Sequence, residues 1–152
     1  MPDSPKAFVV GPGEGPTVQG PAGGPLTFKV RGDQSGGALT VIENVIAAGD
    51  GPPHHRHAGE DEAWWIIEGR LRFKLDDAEQ AAGAGAFVYV PRGVAHSFQN
   101  PGPEPARILV MFTPGGMEGF FDAFAELREL DREAFARLGA EVGMEVVGPP
   151  LR

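Results

Sequence analysis

Three of the four histidines in this chain stand in one short run, His54-His55-Arg56-His57, and the fourth is His96. Three carboxylates, Glu60, Asp61 and Glu62, follow directly after the run. Neutral imidazole nitrogens together with a carboxylate make a donor set suited to a divalent first-row metal ion. Side chains two apart in an extended segment share a face, so His55 and His57 point together and His54 points away. That parity puts His54 outside any shared site, either exposed or supporting it. Spacing alone leaves a solvated surface patch as open a reading as a metal site, with Glu60 and Asp61 as rivals to Glu62. Cysteine is absent, which excludes thiolate ligands, iron–sulfur clusters, cysteine nucleophiles and disulfides together.

Bringing His96 beside a run so far upstream requires elements that fold back on one another. At 152 residues the chain has the size of one domain. Gly 23 and Pro 15 make up a quarter of it, yet 41% is hydrophobic and no low-complexity period runs through it. That balance reads as many short strands and turns rather than disorder. Leu26–Val30, Ala38–Ala47, Ala63–Ile67, Arg70–Leu75, Phe87–Val90, Ala95–Gln99 and Arg107–Thr113 have the composition of strands. In Arg70–Leu75 the residues Leu71, Phe73 and Leu75 share one face and Arg70, Arg72 and Lys74 the other, so one face is buried and one is wet. Residues 1–25 form a Pro- and Gly-rich arm in which only Ala7–Val10 has the make-up of a strand. After Pro114 the period changes from 2 to 3.6: Met117, Phe120, Phe121, Phe124 and Leu127 form one helical stripe. A second short helix carries Phe135, Leu138 and Val142, with Asp131 placed to cap its start and Gly143 its end.

Charge narrows the partners. Lys+Arg 13 against Asp+Glu 21 leaves a formal net charge of -8, which argues against nucleic acid or an anionic membrane, both of which need a basic footprint. The helical pair is itself rich in Asp and Glu, so its apolar stripes are core rather than a DNA-reading surface. The N-terminal residues lack the basic and apolar regions of a signal peptide, and no apolar run approaches the ~20 residues of a membrane span. A cytoplasmic location is expected.

The spacing of the site residues is fuller than a histidine pair. Gly49, five residues, His55, one residue, His57, four residues, Glu62, six residues and Gly69 reproduce the first motif of the cupin superfamily. Gly85, five residues, Pro91, one residue, Gly93, two residues, His96, three residues and Asn100 reproduce the second. The chain thus resembles a single-domain cupin, directly over residues 49–100. The resemblance implies an all-β jelly-roll barrel over about 26–114, the arm 1–25 before it, and the extension 115–152 as a short helical tail packed on the barrel. It makes His55, His57, Glu62 and His96 the ligands of one divalent transition metal, which Fe, Mn, Ni, Co, Cu or Zn would all suit. The six-residue step to Gly69 selects Glu62 over Glu60 and Asp61, which are expected in a solvated acidic turn. Strand parity then turns Trp64 inward with Glu62, and Phe98 with His96, while Phe73 lies on the apolar face of its strand. These three aromatics would border a pocket for a small apolar molecule, or simply fill the barrel.

Within that resemblance the leading expectation is a quercetinase-like dioxygenase with Glu62 as catalytic base. The alternatives are a non-catalytic binding cupin and a cupin isomerase or sugar-modifying enzyme. Small cupins commonly dimerise and the sheet edges need cover, so a homodimer is expected. Three ligand histidines are expected to compete with protons for the metal as pH falls.

Overall fold

The computed structural model describes residues 4–127 and 132–152. Among the described residues eleven strands are formed: β1 Thr17–Gln19, β2 Pro25–Val30, β3 Thr40–Ile46, β4 Pro53–His57, β5 Asp61–Glu68, β6 Arg70–Leu75, β7 Ala78–Gly83, β8 Phe87–Val90, β9 His96–Gln99, β10 Ala106–Thr113 and β11 Met144–Pro150. Two helices, α1 Glu118–Ala125 and α2 Arg132–Glu141, lie between β10 and β11. The strands make two antiparallel sheets, ordered β1-β2-β3-β10-β5-β8 and β11-β4-β9-β6-β7. This is a jelly-roll barrel with two helices near its C-terminal end.

Alternation along the strands places the core between the sheets. On β3, β10 and β5 the inward residues fall into successive rows, Thr40–Phe112–Glu62, then Ile42–Val110–Trp64, then Asn44–Ile108–Ile66. All nine are buried, so burial runs in step with the two-residue pleat. In the second sheet Leu71 and Phe73 of β6 are buried between exposed or half-buried basic residues. The hairpin between β5 and β6 turns at Gly69, whose φ of +83° is cheap only for glycine.

Two local expectations need correction, and one strand carried no expectation. The strand in the first 25 residues is Thr17–Gln19, paired with β2, and not Ala7–Val10. Phe8 and Val9 lie exposed, whereas Thr17 and Thr27 meet side by side across the ladder with hydroxyls 2.9 Å apart. Ala78–Gly83, too polar and Ala-rich to read as a strand, pairs along the whole of β6. Residues 144–150 do not continue a helical tail; they form β11 beside β4, the strand of the histidine run. Two prolines and a glycine hid that strand, and register shifts at Val146/Gly148 and Gly148/Pro150 accommodate them. The expected cap Asp131 lies outside the described residues.

The helices close one end of the barrel. Met117, Phe120, Phe121 and Phe124 are buried, and Phe120 meets Phe135 of α2 edge-on with ring centroids 5.1 Å apart. Glu118 ties α1 to the start of β3: its carboxylate accepts the Gly32 and Gly116 backbone N–H groups and the Thr40 hydroxyl. Arg31 and Asp122 form a second tie between the two regions.

Gly51, in the loop that leads into β4, has no room for a side chain. A Cβ there would meet the Phe98 carbonyl oxygen at 1.9 Å. Gly51→Ala is therefore expected to destabilise the chain by about 2 kcal/mol through forced movement of β9 against that loop. Urea denaturation of the variant measures it, and an unchanged midpoint would show the loop free to yield.

Candidate metal centre

Three strands deliver the four predicted ligand residues to one point. His55 and His57 project inward from β4, Glu62 from β5 and His96 from β9, and His55 sits directly opposite His96 in the ladder. All four are buried, and one ligand atom from each lies within 4.8 Å of the others. Glu62 is central: its Oε2 stands 2.9 Å from His96 Nε2 and 3.1 Å from His57 Nε2. Donors on adjacent corners of a metal with bonds of ~2.1 Å are about 3 Å apart, which is the spacing of these contacts.

Hydrogen bonds decide which ring nitrogens are available. His55 Nδ1 donates to the Pro53 carbonyl at 2.7 Å and His96 Nδ1 to the Val94 carbonyl at 3.0 Å. A carbonyl only accepts, so both Nδ1 atoms carry hydrogen and both Nε2 atoms face the cluster. His57 differs, since neither of its buried ring nitrogens has a hydrogen-bond partner among the described residues. The contact of its Nε2 with Glu62 is close but is not aligned as a hydrogen bond.

Charge inside the cluster is polarised. Burial pulls His55 down to about 3, with the neighbouring His96 charge adding to the shift, so its ring stays neutral. For His96 burial also pulls downward, but the Glu62 carboxylate and its hydrogen bond prevail and the net shift is up. Glu62 shows the reverse balance: burial pushes it up, while the His96 charge and hydrogen bond, with the His57 ring close by, drive it below the usual carboxylate range. His96 thus donates from both nitrogens, Nδ1 to Val94 and Nε2 to an ionised Glu62. That proton holds a position a metal cation would take over. Unpartnered imidazole nitrogens, an ionised carboxylate and full burial fit a divalent ion bound by His55, His57, Glu62 and His96.

The neighbours of the centre are not all as expected. His54 does turn away, but it is buried, with Nδ1 3.2 Å from the Ser97 hydroxyl. Asp61 is not in the turn; it opens β5 and pairs with Arg92. Glu60 is not solvated: its side chain is 13% exposed and packs towards His57, and burial raises its pKa. Trp64 and Phe98 line the cavity beside the ligands. Phe73 does not; it packs behind them, 5.5 Å from the Trp64 ring and 5.9 Å from Phe98. The cavity measures about 50 Å³ and its wall continues through Asn44, Phe112, Met117, Phe120 and Phe135. The helical phenylalanines carried no sign in the sequence beyond a core stripe, because only the return of α2 over β4 brings Phe135 to 6.0 Å from the His55 ring.

The cupin domain family model matches residues 43–112, the stretch that contains all four candidate ligands. An RmlC-like cupin from Shewanella frigidimarina superposes with a TM-score of 0.63 at 16% identity, covering 74% of this chain and 96% of that one. The chain belongs to the cupin superfamily. A second solved cupin fold, a putative sugar phosphate isomerase from Acidithiobacillus ferrooxidans, superposes at TM-score 0.52 with 26% identity over 61% of this cupin and 60% of that chain. Among characterised sequences, the tetracenomycin polyketide synthase protein TcmJ of Streptomyces glaucescens is 31% identical over 51% of this chain and 51% of its own length. The cupin therefore spans about half of that relative. Among the described residues no helix is long and apolar enough to cross a membrane.

Proposed function

We propose that this cupin is a metal-dependent oxygenase of the quercetinase-like dioxygenase type, acting on a small, largely apolar molecule that carries an acidic hydroxyl. The observation that carries the reading is the composition of the cavity. Among the described residues its polar groups are those of His55, His57, Glu62, Asn44 and the Trp64 indole; the remaining wall is aliphatic, aromatic, thioether or proline, with no lysine or arginine. A divalent ion held by His55, His57, Glu62 and His96 would supply Lewis acidity to a bound substrate. The chain's own part is to orient, to exclude water and to accept a proton. Glu62 is the ionised carboxylate at the centre. As an ionised carboxylate it can accept a proton from an acidic hydroxyl such as an enol or phenol. Phe112, Phe120 and Phe135 keep bulk water away.

The approach route follows from a shared wall. A groove of about 450 Å³ lies outside the cavity, lined by Asp50, Gln99 and Arg152 among others. Pro21, Pro52 and Phe135 border both spaces. A cavity of about 50 Å³ holds only one or two water-sized molecules, so an organic substrate enters across Phe135 with α2 displaced. The tetracenomycin relative supports this reading in name, because polyketides are oxygen-rich carbon skeletons. The sugar phosphate isomerase neighbour supports a rival, but a phosphate needs cationic partners, and no lysine or arginine lines this cavity among the described residues.

Oxygen uptake across flavonols, enediols and β-diketones, with each reconstituted metal, tests the reading. Uptake with at least one pair, lost in Glu62→Gln, is the expected result. Tight binding without uptake would make the protein a binding module, and turnover of a sugar phosphate would make it an isomerase.

We further propose that the working form is a homodimer. Trp65, Phe87 and Tyr89 are 44%, 57% and 57% exposed, and Trp65 and Phe87 face each other across the β5–β8 ladder. Strand β8 ends its sheet, so the aromatic patch adjoins an open edge. Light scattering at micromolar concentration is expected to return twice the chain mass, and Phe87→Asp with Tyr89→Asp to return one. A parent that weighs a single chain would defeat this proposal.

A further inference from the structure

His55 and His96 are each steered by a backbone carbonyl two residues upstream, at 2.7 and 3.0 Å. His57 has no such guide. Its Nδ1 instead stands 3.8 Å from Glu60 Oε2, and both atoms are buried with no hydrogen-bond partner among the described residues. Their side chains are 3% and 13% exposed. A donor-capable nitrogen and a carboxylate oxygen left unpaired in the interior cost roughly 1–3 kcal/mol each. The gap exceeds a charge-assisted hydrogen bond by only about 1 Å. It is also too short for a bridging water, which needs two bonds of ~2.8 Å in sequence. A small rotation of either side chain closes it directly.

We propose that Glu60 is the positioning residue for His57: it accepts the Nδ1 proton and so leaves the Nε2 lone pair for the metal. Neutral imidazole carries one proton, and two carboxylates compete for it. Glu60 draws it to Nδ1, whereas Glu62, whose Oε2 is 3.1 Å from Nε2, draws it to Nε2 and would block the ligand atom. Glu60 decides that contest in favour of metal binding. A carboxylate on the outer nitrogen also makes the inner one a stronger donor. The role rests on the metal centre described above and is independent of which reaction the centre performs.

The test uses the full chain, with Zn(II) or Mn(II) alone as probe. Competition against a chelator is expected to show 10- to 100-fold weaker binding in Glu60→Ala. Glu60→Gln, whose amide oxygen still accepts from Nδ1, is expected to recover most of that loss. Nitrogen-detected NMR of the metal-free parent should find His57 protonated at Nδ1, and Glu60→Ala should move the proton towards Nε2. Affinity within threefold of the parent in Glu60→Ala, or equal losses in Glu60→Ala and Glu60→Gln, would overturn the proposal. So would a parent His57 already protonated at Nε2, a result that does not depend on how the alanine variant folds. A parent that binds no metal at all would instead defeat the centre itself, and the NMR result would still report on Glu60.

Discussion

Replacing His96 with alanine is expected to cut metal occupancy from about one ion per chain to less than about a tenth of that. The loss should exceed that of one ligand among four, because His96 does two things. Its Nε2 is a donor, and its hydrogen bond and charge keep Glu62 ionised at 2.9 Å. Without that partner, burial is the largest influence on Glu62 and pushes its pKa up. A protonated carboxyl is a poor ligand, so one substitution weakens two positions. Breaking a buried pair on one side also costs about 3 kcal/mol. The metal-free variant should therefore melt at a lower temperature than the metal-free parent. Elemental analysis of protein purified without an immobilised-metal column, together with calorimetry, reads both effects. Undiminished occupancy in His96→Ala would place the ion elsewhere.

Metal affinity is expected to fall as pH drops, but less steeply than a thousandfold per pH unit. Three independent histidines would give the steeper slope, and the spacing in the sequence suggests it. The fold changes the count, because protons do not compete equally for the three rings. His55, depressed to about 3, stays neutral through the working range and offers its lone pair without displacing a proton. His96, raised by Glu62, is the ring that holds a proton where the metal goes. Its folded pKa lies above the ordinary value of about 6.5. In the metal-free protein its pairing therefore contributes stability in full below that value and loses it as pH rises through the raised one. Metal binding opposes this trend by taking the proton's place, so the loaded protein gains most over the metal-free one at higher pH. His55 and Glu62 act with the opposite sign, withholding stability as pH falls towards their depressed values. Chelator titrations from pH 8 to about 5, followed by proton release and melting temperature, measure the slope. A slope near three would show that the histidines titrate independently and that the His96–Glu62 pair is not formed.

Much of the centre is legible in one dimension. Strand parity puts His55 and His57 on one face, and the steps from Gly49 to Gly69 and from Gly85 to Asn100 resemble cupin motifs closely enough to name all four residues that the fold gathers as candidate ligands. The strand alternation of Arg70–Leu75 and the helical stripe from Met117 to Phe124 are equally plain, because both follow from local periodicity. What lies outside local pattern was decided by packing. Thr17–Gln19 and Ala78–Gly83 are strands because a neighbouring strand offers its backbone groups. Met144–Pro150 pairs with β4 despite its prolines, since the histidine strand needs a partner on that side. The placement of Glu60 against His57, of Phe135 above His55 and of Phe73 behind Trp64 likewise depends on distances between segments far apart or across a tight turn. Residue type and spacing determine which atoms can bind a metal. Only the tertiary structure determines which of them keep a proton, because burial and the approach of a single carboxylate push His55 and His96 in opposite directions.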